Sequence, residues 1–154
     1  MKTESKNILL GIGNSLRGDD GAGSFIARNF HHHLWISLDS GTAPENFTSK
    51  IKDVKPNLLI IIDAAELNLA SGAFRIIPYN KISELQFSTH SIPLSFLLDY
   101  LKSFCKEIIM IGIQPGSTNL SDNLSQNVLV GCKKIIKYIK DDKVKEIKVL
   151  NDLN

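Results

Sequence analysis

NILLGIGNSLRGDDGAG, residues 7–23, sets an apolar run at 8–12 before Gly13, four further residues and Gly18, and then places Asp19 and Asp20 ahead of Gly21. The run does not alternate with polar residues, as expected of a strand covered on both faces, and Phe25, Ile26 and Phe30 then fall at helical spacing from Gly21 to about Phe30. The stretch reads as strand, loop and helix, the opening unit of an α/β domain. Backbone amides at the Gly13 to Gly18 spacing can cradle a phosphate, but a phosphate loop continues with Lys and Ser or Thr. Here it continues with two carboxylates. A carboxylate about 4 Å from a phosphate charge costs on the order of 4 kcal/mol at an effective dielectric near 20, several times what a helix dipole offers an anion. The loop should attract a cation.

The alternation of strand and helix continues along the chain. Residues 35–38 read as a strand ending at Asp39, SGTAPEN as a turn with Pro44 at a helix start, and Phe47, Ile51 and Val54 carry that helix on. Residues 57–62, NLLIII, are the clearest buried strand and end at Asp63. LNLASG is a turn, AFRIIP an edge strand closed by Pro78, and STHSIP follows a loop. Leu94, Leu97, Leu98 and Leu101 predict a helix beginning near residue 91 or 92, with Pro93 tolerated in its first turn. Residues 108–113 form another strand, which runs into Gln114-Pro115-Gly116, and Val128, Cys132, Ile135, Ile136 and Ile139 stripe a last helix. The expected fold is a single three-layer α/β/α domain over residues 1–154, with a mostly parallel five-stranded sheet and one antiparallel edge strand. In such sheets ligands sit beyond the carboxyl ends of the strands, and the polar residues there are Asp19, Asp20, Asp39, Asp63 and Gln114.

Composition narrows the class. With 154 residues, 43% hydrophobic and 22% charged, the chain fits one globular domain and no disordered or collagen-like class. The net charge of +2 argues little about partners, and the alternating signs of KYIKDDKVKEIK near the end read as a solvated surface, not a nucleic-acid footprint. No apolar run approaches the roughly 20 residues that span a bilayer, and MKTESKN has no signal-peptide core, so a cytoplasmic location and no membrane insertion are expected. A monomer is also expected. Cys105 and Cys132 lie far apart without a C-x-x-C spacing and read as ordinary thiols, Cys132 on a core-facing stripe.

Asp19 reads as a helix cap, so Asp19→Asn is expected to keep most activity, Asn capping about as well as Asp. That leaves Asp20 for other chemistry. Asp63, directly after LLIII, must lie near the interior of the sheet and is costly there unless paired or metal-bound. The loop that carries His90 can return to the same sheet edge, so Asp20, Asp63 and His90 would supply two oxygens and one imidazole nitrogen, a set suited to zinc or nickel with a position left open. His31, His32 and His33 are weaker candidates, because consecutive helical residues do not share a face and histidines suit a helix C-terminus. There is no H-E-x-x-H; Glu66, Asp19 and Asp39 are unranked candidates for a general base.

In this order, the blocks GIGNSLRGDDGAG, LDSGTAPEN, LLIIIDAAE, STHSIPLSFLLDYL and IGIQPG resemble the hydrogenase maturation endopeptidases, which trim a C-terminal extension from the large-subunit precursor of nickel-iron hydrogenases. The resemblance runs from Ile8 to roughly Ile139, and GTAPEN with IGIQP is most similar to the branch serving formate-hydrogenlyase-type and related hydrogenases. It implies that the family's metal-binding acid, strand-end aspartate and histidine match Asp20, Asp63 and His90. Asp39 matches an acid near the cleft, with a substrate-contacting or supporting role. The implied activity is a metal-dependent endopeptidase that acts after nickel insertion, on nickel presented by the precursor; zinc or another divalent metal could occupy the isolated protein. Two other readings are a nickel-binding chaperone without proteolytic activity and a flavodoxin-like nucleotide or flavin module, against which the acidic loop counts.

Overall fold

The computed structural model describes residues 6–88 and 92–151, so Thr89, His90 and Ser91 lie outside the described residues. Five strands, β1 (Asn7–Ile12), β2 (Trp35–Gly41), β3 (Leu58–Ala64), β4 (Phe74–Ile76) and β5 (Glu107–Ile113), form one sheet in the order β2-β1-β3-β5-β4. All neighbours are parallel except β4, which runs antiparallel to β5 at the edge. The helices are α1 (Ala22–Arg28), α2 (Thr48–Val54), α3 (Tyr79–Ile82), α4 (Leu94–Leu101) and α5 (Gln126–Lys140).

Why the strand runs lack polar alternation is visible in the packing. Ile8, Leu10, Leu59 and Ile61 face a core completed by Ile51 of α2 and Leu94, Leu97, Leu98 and Leu101 of α4. Leu9, Ile60, Ile62, Ile111 and Ile113 face the other side, against Ala22 and Ile26 of α1 and Val128, Cys132, Ile135 and Ile139 of α5. The three-layer arrangement follows from helices on both faces.

The structure refines four expectations. Pro44 opens a 3-10 turn, Pro44–Phe47, and the α-helix starts only at Thr48. The segment after Pro78 holds the one-turn α3, too short for periodicity to reveal, which buries Ile82. Asp63 lies within β3 instead of after it. The charge-rich tail is not wholly a solvated surface, for Val144, Ile147 and Leu150 are buried, and Ile76 of β4 exchanges hydrogen bonds with Lys148 and Leu150, covering part of the sheet edge. Among the described residues no helix is long and apolar enough to cross a membrane.

Candidate active site

Since β1 lies between β2 and β3, with Gly11 in register with Ile62, the carboxyl ends of β1 and β3 are neighbours. From β1 the chain turns back on itself. Asn14 N–H donates to the Asp20 carbonyl at 3.0 Å, and a Cβ at Gly13 would stand only 2.4 Å from that oxygen. Gly18 takes φ +57°, a left-handed conformation that favours glycine, and opens the 3-10 turn Gly18–Gly21 that carries both aspartates.

The two carboxylates have different environments. Asp19 is fully buried. Its Oδ2 accepts the N–H groups of Gly116 and Ser117, each at 2.8 Å, and the Ser125 hydroxyl at 2.6 Å, while Oδ1 accepts Ser125 N–H at 2.7 Å. Burial alone would raise its pKa, but the Ser125 hydroxyl and the N–H groups of Ser117, Ser125 and Gly116 outweigh it and hold the carboxyl below its ordinary value. Asp19 makes no capping bond to its own helix turn, which corrects the cap reading. It is a clamp across the fold: its donors lie 97 to 106 residues away, and Ser125 immediately precedes α5. Asn cannot replace it, because an amide offers one acceptor and would turn its NH2 toward these donors. Asp20, the next residue, is half-buried.

Asp63 is fully buried, on the face of β3 that also carries Leu59 and Ile61. Its Oδ1 accepts the Ser88 hydroxyl. Ser88 N–H also donates to the Ala64 carbonyl at 3.0 Å, Glu66 N–H to Gln86 at 2.9 Å, and Ala65 pairs with Phe87 in an antiparallel bridge. The segment leading toward His90 is thus zipped onto the end of β3. His90 itself lies outside the described residues, and among the described ones no three His, Cys, Asp or Glu side chains group to hold a metal.

Beyond β5, the buried Gln114 amide accepts Leu67 N–H at 2.7 Å and Leu69 N–H at 3.2 Å, and donates to Glu66 Oε2 at 3.0 Å. Glu66 is exposed and is held over the end of β5, on the side of β3 away from β1. Asp39, in register with Gly11, is exposed 3.8 Å from Arg28 of α1, which puts it on the opposite sheet face from Asp63. His31, His32 and His33 follow α1 at the amino end of the sheet, away from Asp20 and Asp63; His32 and His33 stack with ring centroids 4.8 Å apart. Burial pushes the Cys132 thiol up to about 12, the Asp19 charge adding to the effect, and pushes Cys105 up to about 11, so neither supplies a thiolate at neutral pH. Ser88, Ser125 and the bracing role of Gln114 escaped the sequence reading. An STHS run beside a candidate histidine and a serine before a helix are the only local signals they give.

The profile of the hydrogenase maturation protease family matches residues 25–142. Hydrogenase 3 maturation protease of Escherichia coli K12 is 41% identical over 113 residues, 71% of this chain and 72% of that protein. A crystal structure of a hydrogenase 3 maturation protease superposes with a TM-score of 0.85 at 32% identity, over 95% of this chain and 97% of the other. A NiFe hydrogenase maturation protease from Thermococcus kodakarensis KOD1 matches with a TM-score of 0.78 at 30% identity, over 92% of this chain and 93% of the other.

Proposed function

The chain belongs to the hydrogenase maturation protease family, and on that premise we propose that it cleaves one peptide bond near the C-terminus of a nickel-iron hydrogenase large-subunit precursor, after nickel insertion. The observation that carries this reading is the buried carboxylate of Asp63 at the end of β3, beside the β1 end that bears Asp20, in a loop whose other carboxylate is taken up by clamping. Asp20 and Asp63 offer oxygen donors from adjoining strand ends. Ser88, bonded to both Asp63 and Ala64, anchors the chain two residues before His90, whose imidazole is the third donor. Such a set suits a borderline divalent metal and leaves positions for water or substrate. Nickel carried in by the precursor would polarise the scissile carbonyl or a bound water.

Proton transfer falls to Glu66 in this reading. Asp19 is occupied by four donors, and Asp39 faces α1 on the other side of the sheet. Glu66 stands exposed at the same sheet edge as Asp63, three residues further on, braced by Gln114. Glu66→Gln should lower turnover by about 100-fold or more, the usual contribution of a general base, with an unchanged melting temperature. Wild-type turnover by this variant would remove Glu66 from the mechanism.

The experiment that tests the metal-dependent reading compares nickel-loaded and nickel-free precursor with wild type and His90→Ala. Wild type should process only the loaded precursor, and His90→Ala neither. Equal processing of both precursors by wild type would defeat the substrate-metal mechanism, and full activity of His90→Ala would remove that histidine from the site.

A further inference from the structure

Beside Asp20, two loops present a pair of leucines to solvent. Arg17 and Ser121 form a parallel bridge, with Ser121 N–H donating to the Leu16 carbonyl at 3.0 Å and Gly18 N–H to the Ser121 carbonyl at 2.8 Å. One position back in this pairing stand Leu16 and Leu120. They are 68% and 79% exposed. A lone exposed leucine is ordinary, but two on one ridge, edged by the exposed polar residues Arg17, Asn119 and Asp122, repeat the apolar centre and polar rim of a protein interface.

The ridge is also held in place. Asp19 binds the second loop at Gly116, Ser117 and Ser125, and its own N–H donates to the Ser117 carbonyl at 2.8 Å, so both leucines stand on a clamped backbone. A pre-ordered surface loses little freedom on docking. Asp20 follows Leu16 by four residues in the loop after β1, within about 14 Å along the chain, so a protein that brings a peptide bond to Asp20 comes within reach of the ridge.

We propose that the Leu16–Leu120 ridge is the docking edge for the protein substrate, a folded precursor that presents an apolar recess beside its metal and its C-terminal segment. The inference rests on the endopeptidase reading and deepens it. Its test measures both KM for cleavage of nickel-loaded precursor and direct binding of that precursor, using Leu16→Asp, Leu120→Asp and the double variant, with the remote Leu34→Asp as control. Each single variant should weaken binding and raise KM by about tenfold, and the double variant further, with kcat and melting temperature unchanged. Leu34→Asp should match wild type. Wild-type binding and KM in the double variant would overturn the proposal, as would a concentration-dependent dimer of the wild-type chain that only the ridge variants abolish. If wild type binds the precursor through the ridge without cutting it, the docking edge stands and the endopeptidase reading fails.

Discussion

Asp63→Asn leaves the precursor uncut while the protein melts no lower than wild type. The substitution keeps the shape of a fully buried side chain and leaves an amide oxygen to accept the Ser88 hydroxyl, so the zipped segment at residues 86–88 keeps its anchor. Burying a neutral amide costs less than burying a carboxylate, and the fold should be as stable or more so. What disappears is the negative charge at the end of β3. Loss of an outer partner at a metal site already costs roughly 10- to 100-fold, so on the proposed metal-dependent reading losing the Asp63 carboxylate should cost more than 100-fold in processing rate. Processing within a few-fold of wild type by the folded variant would exclude Asp63 as an essential anionic donor.

Asp19→Asn, by contrast, should fail in stability before it fails in chemistry. Four donors converge on the Asp19 carboxylate, and an amide would satisfy only some of them while pointing its own N–H groups at the rest. Leaving buried donors of a charged acceptor unsatisfied costs about 3 kcal/mol, which for a domain of this size lowers the melting temperature by roughly 10 °C. The pH dependence has a definite sign. Because the folded carboxyl is held below its ordinary 3.8, its stabilisation is present above that pH and is lost as pH falls from there through the folded value. The gap between wild type and Asp19→Asn should therefore be full at neutral pH and narrow as pH falls below about 3.8. Equal melting temperatures at pH 7 would show that the clamp contributes nothing.

The fold was legible wherever one segment carried its own pattern. NLLIII, residues 108–113 and the Val128 to Ile139 stripe each declare a buried strand or an amphipathic helix without help from elsewhere in the chain. The topology that sets the carboxyl ends of β1 and β3 side by side follows from strand and helix alternation, because parallel strands must start from the same sheet edge. Asp19 was misread because capping is a local pattern, whereas its donors lie beyond β5, about a hundred residues away. Ser88 and Gln114 were obscure for the same reason: each bonds across a loop whose return to the sheet no periodicity records. In α3, a single turn is too short to show a period, and in the tail the buried Val144 and Ile147 stand alone among charges. Carboxylates at the strand ends could be anticipated; which of them was structural could not.

The most direct measurement is the intact mass of a nickel-loaded large-subunit precursor before and after incubation with the full chain. Loss of one discrete C-terminal peptide, leaving the remainder whole, is the predicted result. An unchanged precursor mass, with nickel held tightly by the chain itself, would contradict the endopeptidase reading and leave a metal-handling chaperone in its place.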